Sequence, residues 1–146
     1  MTLADWESRN KWLILHTTTR QEIADLLAVV DRDLRESDTP GLGADWRLAI
    51  AHNAALQAAA AALAASGYKA GRGDYHHRTI ESLRLTIGWD AARVEALQGF
   101  RRKRNTTEYD RAGLVSDQDA AEIRQLEETL RDDVRTWLRK THPELL

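Results

Sequence analysis

"DWRLAIAHNAALQAAAAALAASGY" (Asp45–Tyr68) is the stretch that decides the fold. Alanine has the highest helix propensity, and the segment is mostly alanine and leucine with no internal proline or glycine before its end. It predicts a helix from about Asp45 to Ser66, closed by Gly67 as C-cap. Trp46, Ile50, Leu56 and Leu63 mark its expected core face. The small alanines between them let neighbouring backbones approach closely. The apolar run "AALQAAAAALAAS" is broken by Gln57 and is too short to span a bilayer.

The same periodicity extends to both sides. "TRQE" has the form of a capping box, with Thr19 as cap and Glu22 reaching back. Ile23, Leu26, Leu27, Val30 and Leu34 then recur at helical spacing, until Pro40 and two glycines stop the helix. "YKAGRGD" reads as a loop. A third helix is predicted over about Tyr75 to Ile87, with Ile80, Leu83 and Ile87 inward. A fourth starts near Asp90, and a last runs from the cap Ser116 to about Lys140 on Ile123, Leu126, Leu130, Val134 and Trp137. No segment shows a strand period. The expected fold is all-α, an up-and-down bundle of four to five helices in one domain over residues 19–146. Residues 1–18 are expected to form an arm or short helix.

Composition narrows the chemistry. A chain of 146 residues can bury a core of its own. There is no cysteine, so disulfides, thiolate catalysis and cysteine-ligated zinc are excluded. Acids precede any apolar run at the N-terminus, so the expectation is a soluble, cytoplasmic protein that does not meet a membrane. The net charge of −2 does not mark a general nucleic-acid binder, but Arg101-Arg102-Lys103-Arg104 is a local basic patch. The patterns Gly-x-x-x-x-Gly-Lys-Ser/Thr, Gly-x-Ser-x-Gly and His-Glu-x-x-His are absent. No cofactor or metal is expected.

The patch belongs to "FRRKRNTTEYD" (Phe100–Asp110), where the helical pattern changes character. At ~100° per residue, Val94, Leu97 and Phe100 form one apolar arc, and Arg104 falls inside it. Glu108 and Arg101 fall on or beside it. Arg101, Asn105 and Tyr109 form one row a helical turn apart, with Arg104 and Glu108 alongside. Polar groups held partly out of water need partners or a ligand. An arginine fork beside an amide and a phenol suits a phosphodiester or a nucleotide. The plain alternative is an Arg104–Glu108 pair that only ties helices together. His76 and His77, at the start of the third helix, are candidates to supply an imidazole to this cluster. Adjacent histidines point to different faces of a helix, which argues against a metal site. His52 and Asn53 fall near the core face of the Ala-rich helix and are expected to support Arg104.

"FRRKRNTTEYD", taken with "DWRLAIAHNAALQAAAAALAASGY" and "HHRTIESL", resembles the HEPN family, the higher eukaryotes and prokaryotes nucleotide-binding domains, and in particular its bacterial stand-alone members. The resemblance covers the chain from about Thr19 onward. It implies a helical bundle that forms a homodimer. It also implies a metal-independent endoribonuclease site shared by the two copies, and a toxin–antitoxin system with a nucleotidyltransferase as partner. Arg104 matches the family's phosphate-binding arginine, and Asn105 matches the polar residue after it. The family's histidine is replaced by Tyr109. A phenol titrates near pH 10 and is a poor general base at neutrality. The expected function is therefore RNA or nucleotide binding at the Arg104–Asn105–Tyr109 cleft. The alternatives are an active ribonuclease, with Tyr109 or a histidine in the proton-transfer role, and a non-catalytic structural dimerisation module.

Overall fold

The computed structural model describes the backbone of residues 1–109 and 115–146, and the side chains of residues 1–102 and 115–146. In chain order the elements are α1 (Leu3–Arg9), β1 (Leu13–Leu15), α2 (Arg20–Ser37), α3 (Ala44–Ala65), β2 (Tyr68–Ala70), α4 (Tyr75–Glu81), α5 (Ala91–Tyr109) and α6 (Asp117–Thr141). The protein is an all-α bundle with one small two-stranded sheet.

The Ala-rich helix α3 is the centre of the bundle. It packs most extensively on α2 and α6, and also meets α4 and α5. Ala54, Ala55, Ala58, Ala59, Ala61 and Ala62 are all buried, so a broad face of the helix carries packed alanines. They share a core with Ile23, Leu27, Val30 and Leu34 of α2, Val94 and Leu97 of α5, and Leu130, Val134 and Leu138 of α6. At 22 residues α3 is long and apolar enough to cross a membrane, which its central run alone is not; but 72% of that apolar window is buried inside the bundle. A second, smaller core joins Leu48 and Ala51 to Val115 and Ile123, with Phe100 half-buried against it.

Caps set the helix starts. Ser116 accepts from Asp119 N, and Asp119 returns a bond to Ser116 N, a complete capping box for α6. Ser116→Ala is expected to cost about 1 kcal/mol, read as a lower urea midpoint at unchanged slope. Thr19 caps α2 through Glu22 N as expected. The reciprocal half of that box does not form, because the Glu22 carboxylate is taken by the Thr18 hydroxyl and the His16 ring. Those two hydrogen bonds, Thr18 first, hold the Glu22 carboxyl below its ordinary range.

Three further expectations need correction. The segment "YKAGRGD" is not all loop: β1 and β2 pair antiparallel with Leu13 opposite Ala70 and Leu15 opposite Tyr68. Three-residue strands are too short to show an alternating pattern. Residues 1–18 contain the short helix α1, followed by β1 on β2. The third helix stops at Glu81 and tightens into a 3₁₀ turn over Ser82–Arg84, where the Ser82 hydroxyl bonds back to the Thr79 carbonyl. Trp46 is 68% exposed. Leu48, two residues on and so about 200° around the helix, takes the core side instead.

Candidate functional site

The side chains of Arg104, Asn105, Glu108 and Tyr109 lie outside the described residues; their backbone continues α5 to its end. The site is therefore built from the part of α5 that precedes them. Gln98 sits on α5 one turn before Arg101 and is 1% exposed. Its amide nitrogen donates to the His77 carbonyl at 2.8 Å and reaches the Glu81 carboxylate at 3.5 Å. Its amide oxygen accepts from Arg101 Nε at 3.3 Å. A buried amide with both ends engaged is fixed in orientation. Gln98 thus ties α4 to α5 and holds the half-buried Arg101 side chain on the row that continues to residue 105.

The start of α4 is aimed by its loop. Gly73 and Asp74 both have positive φ, 82° and 51°, which turns the chain sharply before Tyr75. His76 then comes to rest with its ring 6.1 Å from that of His52, which is buried at the middle of α3. Arg101 is joined through Gln98 to the backbone of His77, and His76, the residue before it, meets His52 of α3, so α3, α4 and α5 adjoin at one corner. The two imidazoles face the corner from different helices. Among the described residues, no three His, Asp or Glu side chains gather as metal ligands would.

No family model, curated protein or solved structure matches this chain.

The geometry of the corner itself must therefore carry the functional reading. Of the supporting residues, Asn53 turns away from α5. Its amide nitrogen donates to Asp33 of α2 at 2.6 Å, and its oxygen accepts from Gln57 at 3.3 Å. The described partners of Asn53 are thus not the α5 cluster expected from the sequence. One residue along a helix is a turn of about 100°, so His52 and Asn53 face different neighbours.

Asn53 belongs instead to a second polar group between α2, α3 and α6. Asp33 is 4% exposed, and its other oxygen accepts from Arg32 at 3.0 and 3.1 Å. Glu127 of α6 is 1% exposed, and neither of its carboxylate oxygens has a hydrogen-bond partner among the described residues. Burial pushes the Glu127 carboxyl well above its ordinary range; Arg124 opposes this and the Asp33 charge adds to it. Asp33 and Glu127 were legible as polar interruptions of apolar rows. Asp33 follows Val30 by three residues, and Glu127 follows Ile123 by four and precedes Leu130 by three.

Proposed function

We propose that the α3–α4–α5 corner binds the phosphate of an RNA or nucleotide, in the manner of a HEPN-like protein. The observation that carries this reading is Arg101, held by a buried glutamine that is itself anchored to the backbone of His77. A guanidinium fixed in advance loses little freedom on gripping an anion. The basic run from Arg101 to Arg104 adds charge along the same helix end, and Arg104 is assigned the direct fork on the phosphate. In this reading the protein acts as a homodimer, and a nucleotidyltransferase is its antitoxin-type partner.

A second reading is favoured by one observation. His52 and His76 bring their rings to 6.1 Å from each other at the corner, so an imidazole is available there for the role of the family's histidine, which this sequence replaces with Tyr109. With a histidine there to move a proton, attack of the ribose 2′-hydroxyl on the scissile phosphate needs no metal. That would make the protein a metal-independent endoribonuclease.

Both readings are tested on a pool of labelled RNAs with chelator present. Wild type is expected to bind the pool, and Arg104→Ala to weaken binding by about 10-fold or more. Cleavage by wild type that vanishes in Arg104→Ala and in His76→Ala would establish the enzyme. Binding without cleavage leaves the binding protein. Arg104→Lys keeps the charge but loses the fork, and is expected to weaken binding at an unchanged melting temperature. Equal loss of binding and of stability would move the assignment to a structural dimerisation module.

A further inference from the structure

The N-terminal segment builds a cavity beside the corner. It has a volume of about 310 Å³ and is lined by Trp6, Asn10, Trp12, His77, Arg78 and Glu81. That is the lower end of the range for small-molecule sites. Trp6 and Trp12 meet edge to face, 5.3 Å between centroids and 70° between planes, so they form two walls rather than one stack. The Arg78 guanidinium lies 4.9 Å from the centre of the Trp12 ring. The floor is shared with the corner: His77 and Glu81 are the two residues that accept the Gln98 amide, and Gln98 carries Arg101.

We propose that this cavity holds a nucleobase, stacked against the tryptophan walls, from the RNA or nucleotide whose phosphate lies at Arg101. The proposal rests on the phosphate-binding reading above for the identity of the ligand, and on the cavity for the base. Three features select a base. Half-buried indole faces are stacking platforms for any base, because every base has a π-face. Asn10 and Glu81 bring acceptors, and His77 and Arg78 bring donors, to match the mixed edge of a base. A cationic guest is disfavoured, since Arg78 lines the cavity and brings a positive charge of its own. The arrangement also gives α1 and β1 a purpose: α1 begins with a complete capping box at Thr2, and Asn10 closes its end by donating to the Trp6 carbonyl at 3.1 Å. Trp6 and Trp12 are thereby placed by a short folded unit rather than by a loose arm.

The test uses the full chain labelled with ¹⁵N, following its five indole N–H signals by NMR. The probes are adenosine, guanosine, cytidine and uridine, then ribose 5-phosphate and adenosine 5′-monophosphate. At least one nucleoside is expected to shift the Trp6 and Trp12 indole signals, while ribose 5-phosphate leaves them in place. The monophosphate is expected to bind about 10-fold more tightly than ribose 5-phosphate. Trp12→Ala should erase that difference without changing the affinity for ribose 5-phosphate. Trp12→Phe should restore most of it, which separates loss of stacking from loss of folding. If no nucleoside moves either indole, or if the two phosphates bind equally to wild type, the base pocket is overturned. If nucleosides bind but Arg101→Ala leaves the monophosphate affinity unchanged, the phosphate reading fails while the base pocket stands.

Discussion

Replacing Glu127 with glutamine is expected to make the protein more stable at pH 8, by about 1–3 kcal/mol, and to remove most of the pH dependence of its stability above pH 5. The direction follows from burial. Glu127 is 1% exposed among Ile123, Leu130 and the α2–α3 polar group, with no hydrogen bond to either oxygen among the described residues. Its carboxyl is pushed well above 4.5 in the folded protein, so the folded state keeps a proton that the unfolded chain gives up. Between 4.5 and that raised value, stability falls as pH rises, by about 1.4 kcal/mol per pH unit. Below 4.5 both states are protonated and the residue contributes no slope. Glutamine has the shape of the protonated acid and does not titrate. Urea unfolding of wild type and Glu127→Gln at pH 5, 6, 7 and 8 reads the difference directly. Parallel curves, or a variant weaker than wild type at pH 8, would show Glu127 to be charged and paired.

Ala59→Leu is expected to cost about 2–3 kcal/mol, and the same change at Ala60 well under 1 kcal/mol. Ala59 is fully buried in the core that α3 shares with α2 and α6, whereas its neighbour Ala60 is half-buried. Leucine adds three carbons. At position 59 they have no space unless α2 or α6 moves, and close-packed interiors resist that. At position 60 the larger side chain can lie along the surface. Thermal unfolding of the pair decides the point, because helix propensity differs little between alanine and leucine and is the same correction at both sites. Equal losses at both positions would mean that α3 does not sit where its alanines place it.

The central placement of α3 was legible because alanine leaves its trace in composition: few other sequences are so helical and so small. The rows Ile23–Leu27–Val30–Leu34 and Ile123–Leu130–Val134 were legible because each spans several turns, and a period of 3.6 emerges over that length. The sheet was not, since Leu13–Leu15 and Tyr68–Ala70 are three residues each and find each other across more than fifty residues of chain. Trp46 was misplaced because a single aromatic at a helix start fits either face, and Leu48 settles the matter only once α6 is present. For the candidate site, the sequence pointed by residue type to Arg101, to His77, whose carbonyl Gln98 links to it, and to His52 and His76, whose rings meet. It did not reveal Gln98, which joins them, nor the tryptophan-lined cavity beside them.

By itself, then, the sequence determined what each segment prefers: which stretches are helical, where Thr19 and Ser116 cap them, and that the end of α5 carries charge along an apolar row. These are local properties, set by backbone sterics and by side chains within a turn of each other. Only the tertiary structure decided which polar groups share a neighbourhood. Asn53 bonds to Asp33 and Gln98 to His77, and α1 with the turn after it brings two tryptophans to His77. Each of those pairings depends on which faces of separate helices meet, and that is fixed by packing the whole core at once.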